Sequence, residues 1–294
     1  MAEGRIIKAL SGFYYVQTED QQIYQCRGRG VFRNQNITPL VGDFVSFEYE
    51  DPSEGYIMEI KPRSSELVRP PISNITQAII VTSAKAPDFN QTLLDRFLVL
   101  IESKGIKAVI FISKLDLLTV DGKKKVKEYQ AVYKEIGYET ELLSTEDADS
   151  FQKVSHYIKD EVTVIAGQSG VGKSSILNML DGTLGLKTGE ISESLGRGKH
   201  TTRHVELIDI HEGLVADTPG FSSLDFNEIE AEDLSACFPE FRARMQDCKF
   251  RGCLHAKEPK CAIKAAVANG EIASFRYDNY LKFLEEIKMR KPRY

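Results

Sequence analysis

The stretch Gly167-Gln168-Ser169-Gly170-Val171-Gly172-Lys173-Ser174 constrains this chain more than any other. It matches G-x-x-x-x-G-K-[ST] in full. Val162-Thr163-Val164-Ile165-Ala166 precedes it and reads as a buried β-branched strand. Ser175-Ile176-Leu177-Asn178-Met179-Leu180 follows and reads as the first turns of a helix. Strand, glycine turn and helix together make a phosphate-binding loop within an α/β sheet. The glycines let backbone N–H groups converge on phosphate oxygens, and the helix N-terminus adds its positive dipole end. Lys173 then reaches the β- and γ-phosphates, and the Ser174 hydroxyl is placed for Mg²⁺. An ordinary glycine turn has no use for the Lys-Ser pair.

Asp217-Thr218-Pro219-Gly220 narrows the nucleotide class. It follows the apolar run Gly213-Leu214-Val215-Ala216, so Asp217 stands at the carboxyl end of a strand, where α/β sheets bind ligands. Asp217 is expected to hold Mg²⁺ through water, and the Gly220 N–H to meet the γ-phosphate. Between the two motifs, Gly196-Arg197-Gly198-Lys199-His200-Thr201-Thr202-Arg203-His204 is a basic, glycine-rich loop. Thr201 and Thr202 are its candidates for completing the Mg²⁺ shell.

Guanine recognition usually needs N-K-x-D, and nothing downstream of Gly220 supplies it. Upstream, Ala108-Val109-Ile110-Phe111-Ile112 reads as a buried strand that ends in Ser113-Lys114-Leu115-Asp116. Ser113 stands where Asn is usual. Lys114 is expected to pack its stem along the base and Asp116 to read guanine, a contact that leaves the wrong base unpaired. Ser83-Ala84-Lys85 imitates a loop that packs beside the base, but it precedes the Ser113 strand and reads as a strand end. Ser144-Thr145-Glu146 is the better candidate for that loop.

Base recognition therefore comes first in the chain, then the phosphate loop, then the switches. This order resembles the circularly permuted GTPases of the RsgA (YloQ) type, which act in assembly of the bacterial small ribosomal subunit. The resemblance runs over nearly the whole chain. It implies an OB-fold that binds RNA at residues 1–70, a permuted α/β P-loop GTPase domain at 71–227, and a small, mainly helical zinc domain at 228–294. It also implies GTP and GDP as ligands with Mg²⁺, the small ribosomal subunit and its rRNA as partners, and hydrolysis stimulated by the subunit and driving release.

Both flanks carry residues of their own toward this reading. Five short alternating runs (6–10, 13–16, 23–26, 44–47 and 56–60) predict a small β-barrel. Phe13, Tyr14, Tyr15 and Phe32, with Arg27, Arg29 and Arg33, are candidates for stacking on RNA, although core positions suit aromatics equally. The segment holds eight Lys and Arg against ten Asp and Glu, so RNA contact would rest on local patches. At the other end, Cys248, Cys253, His255 and Cys261 are spaced C-x4-C-x-H-x5-C, which fits one structural Zn²⁺ with a closed ligand set and no catalysis. Cys26 and Cys237 read as packed thiols. Residues 263–267 and 272–287 read as helices, the second with Ile272, Phe275, Leu284 and Ile287 near one face.

A length of 294 residues suits two or three domains. The chain has neither an apolar run able to span a membrane nor a signal-peptide pattern, so a cytoplasmic monomer is expected. The net charge of −5 argues against indiscriminate nucleic-acid binding. Phe221 stands where many GTPases place a Gln that orients water. Slow intrinsic hydrolysis follows, with His200 as the candidate water-orienting group, a role the resemblance supports. The stretch from Phe221 to Asn227 leads into the zinc segment, so the γ-phosphate state is expected to bias that segment. Two rivals stand beside this reading: a small-molecule ATPase or kinase, and an RNA adaptor that binds nucleotide with little hydrolysis.

Overall fold

The computed structural model describes residues 1–30, 32, 37–68, 70–144, 146–147, 149–181, 205–217 and 224–290, with the backbone alone for Asp217. His200, Thr201, Thr202 and Gly220 lie outside them. Seven helices position the site: α1 (Gln91–Glu102), α2 (Val120–Ile136), α3 (Asp149–Ile158), α4 (Lys173–Leu180), α5 (Pro239–Arg242), α6 (Ala262–Ala268) and α7 (Ser274–Met289). The chain forms two compact units, residues 1–79 with 147–222, and residues 80–146 with 223–294.

The first unit begins with β1 (Ala2–Leu10), β2 (Phe13–Gln17), β3 (Ile23–Gly28), β4 (Phe44–Asp51) and β5 (Glu54–Ile60). These are the five runs expected from alternation. β1 pairs with β2 on one side and with β4 on the other, which closes the order β1-β2-β3-β5-β4 into a barrel. That is the strand arrangement of an OB-fold. Ile6, Val16, Cys26, Val45, Phe47 and Ile57 fill its interior. Phe32 is also buried, so the core claims it. Gly42 turns the chain into β4 at φ +97°, and a Cβ there would lie 2.0 Å from the Ser73 carbonyl oxygen. Only glycine fits.

β1 then runs on from the barrel. Lys8 pairs antiparallel with Glu206 of β12 (Glu206–Ile210), and their side chains form a 2.9 Å ion pair. β12 pairs with β13 (Gly213–Asp217), which lies parallel to β11 (Val162–Ala166). β11 is buried along its whole length, as its β-branched, mainly apolar sequence favours, and its one polar side chain, Thr163, accepts from Gln77 at 2.8 Å. α3 and α4 belong to the same unit.

In the second unit, β9 (Lys107–Ser113) lies between β8 (Gln77–Ser83), which begins in the first unit, and β10 (Glu139–Leu142), to which it is parallel. Asn90 starts α1 by accepting from the Leu93 N–H, and Gly137 ends α2 at φ +110°. α1 shares one apolar core with the C-terminal segment, in which Val99 packs with Phe226, Leu234, Phe238, Phe241, Ile263, Tyr280 and Phe283.

The buried face of α7 differs from the expected one. It is Arg276, Asn279, Tyr280, Phe283, Leu284 and Ile287, while Phe275 is only half-buried. The spacing is regular, but two members are polar, so an apolar count misses the first two turns. Both polar side chains are satisfied. Arg276 donates from Nη1 to Asp95 at 2.6 Å, and from Nε and Nη2 to the two oxygens of Glu240 at 2.7 and 3.2 Å. Asn279 donates to the other Asp95 oxygen at 2.6 Å, and the Tyr133 hydroxyl donates to Asp95 at 2.8 Å.

Candidate nucleotide site and metal centre

The phosphate loop joins β11 to α4. Gly167, Gly170 and Gly172 take φ of +143°, +79° and +100°, which turns the backbone where a side chain would be strained. Val171 is buried and anchors the loop, while Gln168, Ser169 and Gly170 are exposed. Lys173 donates from Nζ to the carbonyls of Gly167 at 2.8 Å and Gln168 at 2.7 Å. Burial pushes this ammonium down from 10.5 to about 8.

Ser174 is 3% exposed, and its Oγ has no hydrogen-bond partner among the described residues. A buried hydroxyl in that condition costs about 1–3 kcal/mol unless a ligand satisfies it. An oxygen donor at this point of a phosphate loop suits a hard cation such as Mg²⁺. The parallel register sets Val164 beside Ala216, so β11 and β13 end at one edge, where the phosphate loop and Asp217 leave the sheet. One residue escaped the sequence reading here. The C-terminal carbonyl of α4, at Leu180, accepts from His211 Nε2 at 2.7 Å.

In the second unit, Ser113 closes β9 and donates to the Thr82 carbonyl at 3.2 Å. Lys114 takes φ +61° and donates to the Ala86 carbonyl. Leu115, Asp116 and Leu117 form a 3₁₀ turn, which carries Asp116 past the strand end. The Ser144 hydroxyl donates to Asp116 Oδ1 at 3.1 Å. Ser83 instead donates to the Pro87 carbonyl at 2.5 Å, at the end of β8. Ser144 thus orients the candidate base-reading carboxylate, a role no local motif signals.

The same unit holds the metal candidates. The ligand atoms of Cys248, Cys253, His255 and Cys261 all lie within 4.8 Å of one another. Cys248 Sγ is 3.9 Å from Cys261 Sγ and 3.6 Å from His255 Nδ1, which is 3.3 Å from Cys261 Sγ. Tetrahedral zinc with thiolate bonds of about 2.3 Å requires sulfur–sulfur edges of about 3.8 Å. The Cys248–Cys261 edge of 3.9 Å meets that requirement, and the donor set suits zinc. Burial lowers the His255 imidazole below its ordinary value, which favours the neutral, ligating form.

Glu258 organises the surrounding loop. It accepts from the backbone N–H groups of Leu254 at 3.1 Å, and of Ala256 and Lys257 at 3.0 Å. Burial alone would raise its carboxyl. Hydrogen bonds from its own N–H and those of Leu254, Ala256 and Lys257 hold it low instead. Tyr277 and Tyr280 donate to the His255 and Leu254 carbonyls at 2.7 and 2.8 Å. Cys26 and Cys237 stand apart as buried thiols, raised by burial to about 11 and about 12.

The chain beyond Gly220 enters the described residues at Leu224, and two arginines hold it. Arg96 donates to the Leu224 carbonyl at 2.9 Å and places its guanidinium 4.4 Å from the centre of the Phe226 ring. Arg290 donates to the Phe226 carbonyl at 2.7 Å.

A phosphate loop on β11, an acidic strand end on β13 and an S-K-x-D strand end earlier in the chain are the motifs of a P-loop GTPase in circularly permuted order. The family model described as RsgA GTPase matches residues 60–227, and the RsgA N-terminal domain matches residues 3–57. The chain belongs to the RsgA GTPase family, and it is a GTPase. It is 66% identical over 294 residues to small ribosomal subunit biogenesis GTPase RsgA 2 of Oceanobacillus iheyensis, covering 100% of both chains. The crystal structure of YloQ, a circularly permuted GTPase, superposes with a TM-score of 0.86 at 52% identity, over 100% of this chain and 97% of that one. The crystal structure of YjeQ from Thermotoga maritima gives 0.87 at 34% identity, over 99% of each chain. No helix among the described residues is long and apolar enough to cross a membrane.

Proposed function

We propose that this GTPase acts in late maturation of the small ribosomal subunit, that the subunit stimulates it, and that GTP hydrolysis releases it. The observation that carries this is full-length identity of 66% to a GTPase named for small-subunit biogenesis. GTP and GDP are its ligands. Gly167–Ser175 take the phosphates, with Lys173 on the β- and γ-oxygens, and Ser113–Asp116 read guanine. Bound Mg²⁺ would be held by Ser174 and, through water, by Asp217, and it neutralises phosphate charge. Thr201 and Thr202 complete the cation's shell, Gly220 meets the γ-phosphate, and His200 orients water. Cys248, Cys253, His255 and Cys261 would hold one zinc ion, which would supply folding free energy. Residues 1–70, 71–227 and 228–294 divide the work into RNA contact, nucleotide turnover and zinc-stabilised docking. The protein works as a cytoplasmic monomer, with rRNA as its contact on the subunit.

The deciding experiment is phosphate release from GTP and from ATP, with and without purified small ribosomal subunits. GTP-selective turnover that rises sharply with subunits supports the proposal. Turnover that subunits leave unchanged, or a preference for ATP, removes it. Phe221 favours one second reading, an adaptor that binds nucleotide and barely hydrolyses it. That reading expects no turnover even with subunits present.

A further inference from the structure

The N-terminal half of α2 carries Lys123, Lys124, Lys125 and Lys127, behind a first turn that Thr119 caps and Asp121 makes acidic. Lys123 and Lys127 stand at i and i+4, a like-charge spacing that costs a few tenths of a kcal/mol. Gly122 sits in the first turn, where it weakens the helix further. Lys123, Lys124 and Lys127 are exposed, and none forms an ion pair among the described residues.

At 100° per residue, Val120, Lys123, Lys124 and Lys127 fall within about 100° of one another, and the three lysines span about 6 Å of helix rise. Val120 is 84% exposed, and Leu117 just before it is 46% exposed. Val126 and Tyr133, buried in the unit, lie on a face of α2 centred about 120° from that of the lysines.

We infer that this lysine face of α2 docks onto the phosphate backbone of RNA. In a chain of net charge −5, Lys123, Lys124 and Lys127 gather three exposed cations, with no ion pair among the described residues, into a local positive patch that complements a polyanion. The same patch has too little apolar surface for an interfacial membrane helix, which needs a broad hydrophobic face. The inference rests on the proposed ribosomal function and adds to it a contact surface that begins seven residues beyond Asp116, the proposed base reader. RNA engagement is thereby placed next to the element that holds guanine.

The test compares the full-length protein with the triple variant Lys123→Gln/Lys124→Gln/Lys127→Gln in binding to purified small subunits. Affinity is measured between about 50 and 200 mM salt. The variant is expected to bind about tenfold more weakly at low salt, with a salt slope smaller by about 2, as loss of three phosphate contacts implies. Thermal stability and subunit-free GTP hydrolysis stay unchanged, and the corresponding triple Arg variant restores both affinity and slope. Unchanged affinity and slope in the Gln variant overturn the inference while leaving the ribosomal reading intact. A wild-type protein that does not bind subunits overturns both. Loss of binding to phosphatidylserine vesicles with subunit affinity unchanged overturns it in favour of a membrane.

Discussion

Arg276 and Asp95 form an ion pair of 2.6 Å in which neither side chain reaches solvent. Arg276 lies on α7, beyond the Cys3His cluster, and Asp95 lies on α1, between two strands of the nucleotide-binding sheet. Glu240 approaches the same guanidinium from its other side, and the Phe238 ring lies 4.6 Å from it. The C-terminal segment is therefore built into the same unit as β9, through charge as well as through the apolar core around Phe238 and Tyr280.

Removing the cation alone should be severe. Arg276→Ala leaves two buried carboxylates without a counter-charge, and the expected loss is about 3–5 kcal/mol. Urea unfolding of the zinc-loaded protein, followed by far-ultraviolet circular dichroism, measures it. A triple variant with Arg276→Met, Asp95→Asn and Glu240→Gln should recover most of the loss, because no charge is left stranded. If Arg276→Ala unfolds with the wild-type midpoint and slope, the network has no part in stability.

Lys173 makes nucleotide affinity dependent on pH. Its ordinary value of 10.5 is pushed by burial to about 8, so the free protein holds a charged ammonium only below about pH 8. Phosphate binding needs that charge and raises the group again. Above about pH 8 binding takes up a proton, and GDP affinity should fall by up to about tenfold per pH unit. The stability of the free protein moves the other way. Between about 8 and 10.5 the unfolded chain binds more protons than the folded one, so stability rises with pH across that window. Titration of GDP from about pH 7 to 9.5 tests the affinity, and Lys173→Arg, which does not titrate there, should flatten the profile. A flat wild-type profile would sink the assignment.

How much of this was legible in the sequence depends on where each constraint originates. The phosphate loop was legible because three glycines and the Lys-Ser pair answer to geometry within eight neighbouring positions. The barrel strands and the Cys3His spacing were legible for the same local reason. Ser144 was reached only by elimination, since its bond to Asp116 joins residues 28 apart. Arg276, Asp95 and Glu240 were invisible, because their bonds span 181 and 36 positions and each residue alone reads as solvated charge. His211 and Glu258 act on backbone atoms, which carry no sequence signature.

Glu258 should govern metal affinity without touching the metal. It fixes three N–H groups of the loop that presents His255. Partners of this kind are worth about 10–100-fold in affinity. Glu258→Ala should weaken zinc binding by that factor in competition with a chromogenic chelator, while the wild-type protein retains one zinc per chain by elemental analysis. Chelation of the wild-type metal should lower the unfolding temperature of the C-terminal segment. Equal zinc affinity in the two proteins would show that the loop holds its shape by other means.

Asp116 offers a change of specificity as well as a loss. In the proposed role its carboxylate accepts from the two donors on one edge of guanine. Asp116→Asn replaces one acceptor with a donor, which suits xanthine at the same position. Affinity for GDP should fall by about 10⁴-fold or more, since two polar groups lose their match, while xanthosine diphosphate gains. Competition binding with both diphosphates checks this. A variant that still prefers GDP would place guanine recognition elsewhere.

Hydrolysis turns on what replaces a water-orienting glutamine. Phe221 follows Asp217-Thr218-Pro219-Gly220 and carries no hydrogen-bonding group. The nearest candidate in sequence to the paired threonines is His200, whose imidazole is ordinarily neutral above about pH 6.5 and able to accept from water. His200→Ala should lower subunit-stimulated turnover by about 10²–10⁴-fold, the usual range for a lost general base, with GDP affinity within about twofold of wild type. Single-turnover measurement with saturating subunits separates chemistry from product release. His200→Gln should restore part of the rate, because an amide can still orient water. Undiminished turnover in His200→Ala, with normal GTP binding, would assign the water to a group supplied by the subunit.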